Sequence, residues 1–221
     1  MSGAHPDAAG GRELSLAPQR PSLAPTPAAA GRVASRRRAL PSGMWGMALF
    51  LGAESMLFAG LISSYFYLDF RATRWPPAGA RLPETLIPSI LTAVLVTTSV
   101  PVALAARRAI AGRRAATMAL LGLAAFVQSG YLAYQLHDLV DQVHSLPPQG
   151  SAYASAYIAL LGLHHAHVLL GVLLDLGMLF WLALSGLSDY RVTGVRCVAL
   201  YWHVVNVIAV AVLLTELTPV L

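Results

Sequence analysis

The chain has 221 residues, 57% hydrophobic and 11% charged, against roughly 25% charged in soluble domains, which excludes an ordinary soluble fold and describes an integral membrane protein. All fifteen basic residues are arginine and the formal net charge is +5, but the arginines flank apolar runs, which excludes a nucleic-acid surface and reads as a topology signal. A single cysteine, Cys197, excludes an internal disulfide and any CxxC metal or redox motif.

Residues 1–43 are rich in Ala, Pro, Ser, Gly and Arg, without the apolar periodicity that could bury a core, and are expected to form a disordered cytoplasmic tail. They contain no apolar h-region of a secretory signal. Their Arg-rich, acid-poor composition also matches an organelle transit peptide, while Arg36, Arg37 and Arg38 serve equally as a topology anchor.

Five apolar segments follow, at about 44–68, 85–106, 115–137, 152–184 and 195–217. Each is near the ~20 residues needed to span a bilayer as a helix. The fold class predicted is therefore all-α, a polytopic bundle of five transmembrane helices over 44–221. The fourth segment is long enough to tilt or to project. Pro88 and Pro101 lie in the second, where neighbouring helices satisfy the carbonyls they free. Six arginines in the tail, four at 107, 108, 113 and 114, and two at 191 and 196 face three at 71, 74 and 81. That asymmetry predicts a cytoplasmic N-terminus and an outer C-terminus. Trp45, Tyr65, Tyr67, Trp75 and Trp181 fall near the segment boundaries, as interfacial aromatics do.

Glu54 is the one ionisable side chain in Met44–Leu68. A charge at membrane depth costs at least about 2.5 kcal/mol on the mildest scale, so the residue needs a reason. At 100° per residue, Ala48, Gly52, Ser55, Ala59 and Ser63 form a small-residue stripe that lets another helix approach closely. Glu54 lies away from it, on a face with Met47, Phe50, Leu51, Phe58, Leu61 and Tyr65. It is either a protonatable group on a proton path or facing a partner, or a hydrogen-bonded carboxyl that fixes packing.

In the third segment Gln128, Tyr131, Gln135 and Asp138 share one face, placed for hydrogen bonds between helices. In the fourth, His164, His167, Gly171 and Asp175 fall on one stripe, with His165 about 100° away. The fifth holds His203 and Asn206 one turn apart. Two membrane histidines on different helices could ligate a b-type haem, with His164 or His167 paired to His203. Three could hold copper or zinc, and all could simply bond helix to helix.

Four segments in order resemble one family. WGMALFLGAESMLFAGL (Trp45 to Leu61) resembles the Trp-Gly…Leu-Phe…Ser-Glu…Phe helix of cytochrome c oxidase subunit III. Gln128 stands at that family's glutamine. LLGLHHAHVLLG (Leu160 to Gly171) resembles its Thr-Gly-x-His-x-x-His-Val-x-x-Gly, and YWHVVNVIAV (Tyr201 to Val210) its Tyr-Trp-His-Phe-Val-Asp-Val-Val-Trp. The resemblance covers about residues 44–217 and implies the shorter, five-helix form of the subunit.

It further implies an accessory subunit of a bacterial haem–copper terminal oxidase, in the plasma membrane, that supports assembly, stability and proton uptake. Haem and copper would reside in partner subunits I and II, with no metal or cofactor on this chain beyond bound phospholipid. Glu54, Gln128, His164, His167, His203 and Asn206 are the residues matched to its motifs. Asn206 replaces the usual Asp, His165 a usual Gly, and Ala209 a frequent Trp. Those departures admit a branch serving a nitric-oxide-reductase-like complex, and the histidines by themselves admit a self-contained b-type cytochrome.

Overall fold

The computed structural model describes residues 41–75 and 86–218; the arginines of the tail and Arg81 lie outside them. Among the described residues six α-helices make five spans: α1 (Ser42–Arg71), α2 (Leu86–Thr97), α3 (Ser99–Ile110), α4 (Arg114–Ser145), α5 (Ala152–Ser185) and α6 (Asp189–Leu217). No strand occurs among the described residues. Five units, with α2 and α3 as one, are long and apolar enough to cross a membrane. They alternate in direction, so Arg107, Arg108, Arg113, Arg114, Arg191 and Arg196 gather at one end of the bundle and Asp138 lies towards the other.

Where the helices start and stop follows from local chemistry. The segments expected at 115–137 and 195–217 extend as helix to Ser145 and back to Asp189. Hydropathy ends with the lipid, but the helix continues wherever polar side chains support it. On α4, His137 and Asp141 pair one turn apart at 3.5 Å. On α6, Ser188 caps the helix by accepting from the Arg191 N–H at 3.4 Å. The turn from α5 to α6 needs Gly186 at φ 74°. The Arg191 guanidinium donates to the Ser185 and Gly186 carbonyls at 2.7 and 2.9 Å, which satisfies the end of α5. With 34 residues, α5 is about 51 Å long, well beyond the ~30 Å hydrocarbon core.

The second span is broken at Thr98. Pro101 has no N–H for the Thr97 carbonyl, and the chain above it tightens, with the Thr98 N–H reaching Leu95 O at 3.0 Å. The hydroxyls of Thr97 and Thr98 take over the Val94 and Leu95 carbonyls, each at 2.6 Å. The break is thus satisfied largely from within.

Helix α6 is central. It packs against α1, α5 and both halves of the broken span, while α4 packs against α5 and the broken span. One apolar core centres on Leu95, Leu121, Val168, Val195 and Trp202. A second, towards the Asp138 end, holds Phe58, Tyr65, Tyr153, Tyr157 and Ile208. Tyr65, read from sequence as an interfacial aromatic, is instead 1% exposed, edge-on to Trp75 at 5.2 Å. Helix α1 is peripheral and buries only Leu51, Phe58 and Tyr65, one residue every two turns. Its small-residue stripe faces away: Ala48, Gly52, Ser55, Ala59 and Ser63 are all exposed.

Candidate functional site

Four of the residues singled out in the sequence gather at two places: Glu54 and His167 at the seam between α1 and α5, and Gln128 and Asn206 at the break in the second span.

At the seam, Glu54 Oε2 lies 2.9 Å from His167 Nε2. The other ring nitrogen, Nδ1, is 2.8 Å from the Leu163 carbonyl one turn back. A carbonyl only accepts, so Nδ1 carries a hydrogen. The Glu54–His167 bond then holds one proton, either as a carboxyl O–H donating to Nε2 or as an imidazolium N–H donating to a carboxylate. Both forms are net neutral, which is what a pair near lipid requires. The side chains are 23% and 11% exposed. Phe58 closes one side, its ring 5.1 Å from the imidazole, and the Tyr201 hydroxyl donates to the His167 carbonyl at 2.7 Å. The neighbour that Glu54 requires is therefore a histidine of the same chain. Both nitrogens of His167 are engaged, which leaves it no lone pair for a metal.

At the break, Gln128 of α4 is fully buried and donates through Nε2 to Thr98 Oγ1 at 3.1 Å. Asn206 of α6 donates through Nδ2 to Ser99 Oγ at 2.7 Å. Two helices thus grip adjacent residues of the broken span from two sides. A little towards the Asp138 end, the Tyr131 hydroxyl lies 3.5 Å from His164 Nε2, and Gln135 donates to the same hydroxyl at 3.3 Å. His165 is buried too, its ring 5.6 Å from that of His164. His203 is half-buried and makes no hydrogen bond among the described residues. Groups of three or more His, Cys, Asp or Glu placed to hold a metal are absent among the described residues.

Two further acids are buried: Asp175, placed by its spacing on the histidine stripe, and Glu216, which the sequence reading passed over. Asp175 is 0% exposed and accepts from Trp202 Nε1 at 2.8 Å. Trp202 in turn needs Gly171, since a Cβ there would stand 2.6 Å from its ring. Asp175 lies on the histidine stripe, so its spacing was legible; that its partner is an indole was not. Glu216 is 8% exposed near the end of α6. Its signal was an acid inside an otherwise apolar run.

Comparison with known proteins places this geometry. The family model described as cytochrome c oxidase subunit III matches residues 34–216. Quinol oxidase subunit 3 of Bacillus spizizenii is 29% identical over 171 residues, covering 75% of this chain and 80% of that protein. Cytochrome c oxidase subunit 3 of a Synechocystis species is 30% identical, covering 75% and 70%. Cytochrome bo(3) ubiquinol oxidase subunit 3 of Pseudomonas putida is 25% identical, covering 77% and 81%. A five-span bundle whose motif histidine, glutamate, glutamine and asparagine bind helix to helix, matched across most of its length, is a multi-pass membrane protein that belongs to the cytochrome c oxidase subunit III family.

Proposed function

We propose that the chain is the accessory subunit III of a bacterial haem–copper terminal oxidase, in the plasma membrane, and that it carries no redox centre. One observation carries this reading. Four of the six polar residues of its family motifs are spent on each other and on the broken span: Glu54 on His167, Gln128 on Thr98, Asn206 on Ser99. Their chemistry is architectural. It holds a rigid bundle that braces the catalytic subunit and supports its stability and its proton uptake.

The relatives include both cytochrome c and quinol oxidases at similar identity, so what they share is the terminal oxidase and not the electron donor. The face offered to subunit I is the exposed stripe of α1. A Cβ at Gly52 or Gly60 would meet nothing within 4 Å. Lipid tails gain nothing from small residues, whereas a neighbouring helix can pack closely on them. The arginine end faces the cytoplasm, following the charge bias.

The test is affinity purification of the tagged chain from gently solubilised membranes, with an optical spectrum of the eluate. A large haem- and copper-containing partner with oxygen-reducing activity is expected. A copper-free partner with nitric oxide reductase activity would move the chain to that complex. A haem band from the isolated chain that is lost in His203→Ala would make it a cytochrome in its own right.

A further inference from the structure

Helix α4 carries glutamine at 128, 135 and 142, with Tyr131 and Asp138 between them. Seven residues are close to two turns, so these side chains stack in one line about 21 Å long. The line points inward: Gln128, Tyr131 and Gln135 are buried, and Asp138 and Gln142 are half-buried. Each glutamine spends its NH2 group on a neighbour, Gln128 on Thr98, Gln135 on Tyr131 and Gln142 on Asp138. Turning over the amides of Gln128 and Gln142 does not help. The Thr98 proton is already given to the Leu95 carbonyl, and a carboxylate such as Asp138 only accepts.

What remains is a row of oxygens. Gln128 Oε1, Gln135 Oε1 and Gln142 Oε1 are each sealed from the surface with no protein donor. Asn206 Oδ1, at the break, and Glu216 Oε1, whose charged neighbour is Asp138, are in the same condition. A buried acceptor left without a donor costs about 1–3 kcal/mol, and native proteins hold few of them. These five oxygens all lack the same thing, a donor. Three belong to α4 and repeat at a single interval. Water supplies two O–H donors per molecule and suits a polar interior. A cation would also fill the oxygens, but four of the five groups that would hold it are neutral amides, too little to replace its hydration.

We propose that this face of α4 is lined by water, forming a hydrated half-channel from the break at Thr98 to the Asp138 end of the bundle. The facing wall is polar: Thr98 from the broken span, His164 and Tyr157 from α5, and Glu216 from α6. The channel closes at the break. One step further along the same line is Leu121, which is 0% exposed, and beyond it the apolar core begins.

Hydroxyl-radical labelling by brief X-ray exposure of the intact complex tests this, because radicals formed from trapped water oxidise the side chains beside it. Tyr131 is 4% exposed, and Tyr201 and Trp202, bonded to the His167 carbonyl and to Asp175, are 0% exposed, so surface access alone gives all three slow labelling. The half-channel predicts Tyr131 modified several-fold faster than Tyr201, and slowed by Gln135→Leu. Equal, slow labelling of Tyr131 and Tyr201 in the unaltered complex overturns the proposal, whether or not the variant folds. Fast labelling of Tyr131 that calcium or sodium suppresses also overturns it, in favour of a cation.

Discussion

Glu54 and His167 lie 113 positions apart in the chain and 2.9 Å apart in space. Their pairing sets the expected response to substitution. In Glu54→Gln the amide still donates to His167 Nε2, so the yield of assembled complex should stay near normal. In Glu54→Ala the imidazole loses its partner beside lipid, and the loss should approach the ~1–3 kcal/mol of an unsatisfied buried group. Thermal unfolding of the two purified variants separates these outcomes; equal melting points would mean that the bond contributes nothing. Gly171→Ala is a second sharp case. Its methyl group would enter the Trp202 ring, at 2.6 Å from Cζ2, and overpacking of this kind costs about 1–3 kcal/mol. A lowered melting temperature and a shift in tryptophan fluorescence are expected together, because the Trp202–Asp175 bond moves with the ring. That bond was hidden in the sequence, since nothing in the spacing of α5 and α6 says which residue meets which.

At the scale of elements, the five spans were legible because a bilayer imposes a length and a composition on any helix that crosses it. Pro101 pointed to trouble in the second span, and neighbouring helices were expected to satisfy its carbonyls; instead the Thr97 and Thr98 hydroxyls bond carbonyls within the span, while Gln128 and Asn206 donate to the hydroxyls of Thr98 and Ser99. The overhang of α4 to Ser145 was illegible for the opposite reason: no apolar run marks it. Hydrogen bonds between membrane helices average about 0.6 kcal/mol in double-mutant cycles. A Gln128→Leu and Thr98→Val cycle should return a coupling of that order, measured by reversible unfolding in detergent. A coupling of zero would show that the Gln128–Thr98 bond contributes nothing to holding the broken span.

For the whole molecule, the uneven burial of α1 matters most. Its buried side is built from Leu51, Phe58 and Tyr65, and its small residues lie on the side that the described residues leave uncovered. The stripe was visible in the sequence as a pattern, but only the packed bundle shows that no other described helix packs on it. Gly52→Leu should therefore leave the melting temperature of the isolated chain unchanged and sharply reduce copurification of the catalytic subunit. A drop in the isolated chain's stability would place the partner of this stripe within the chain after all.

The single proton held between Glu54 and His167 has an electrical consequence. A terminal oxidase works against the membrane voltage that it generates, and each unpaired elementary charge within that field feels about 2.3 kcal/mol per 100 mV. A bare carboxylate on peripheral α1 would be pulled along the membrane normal as the voltage rose. The neutral pair feels no net force, so α1 and α5 keep their register whether the membrane is charged or at rest.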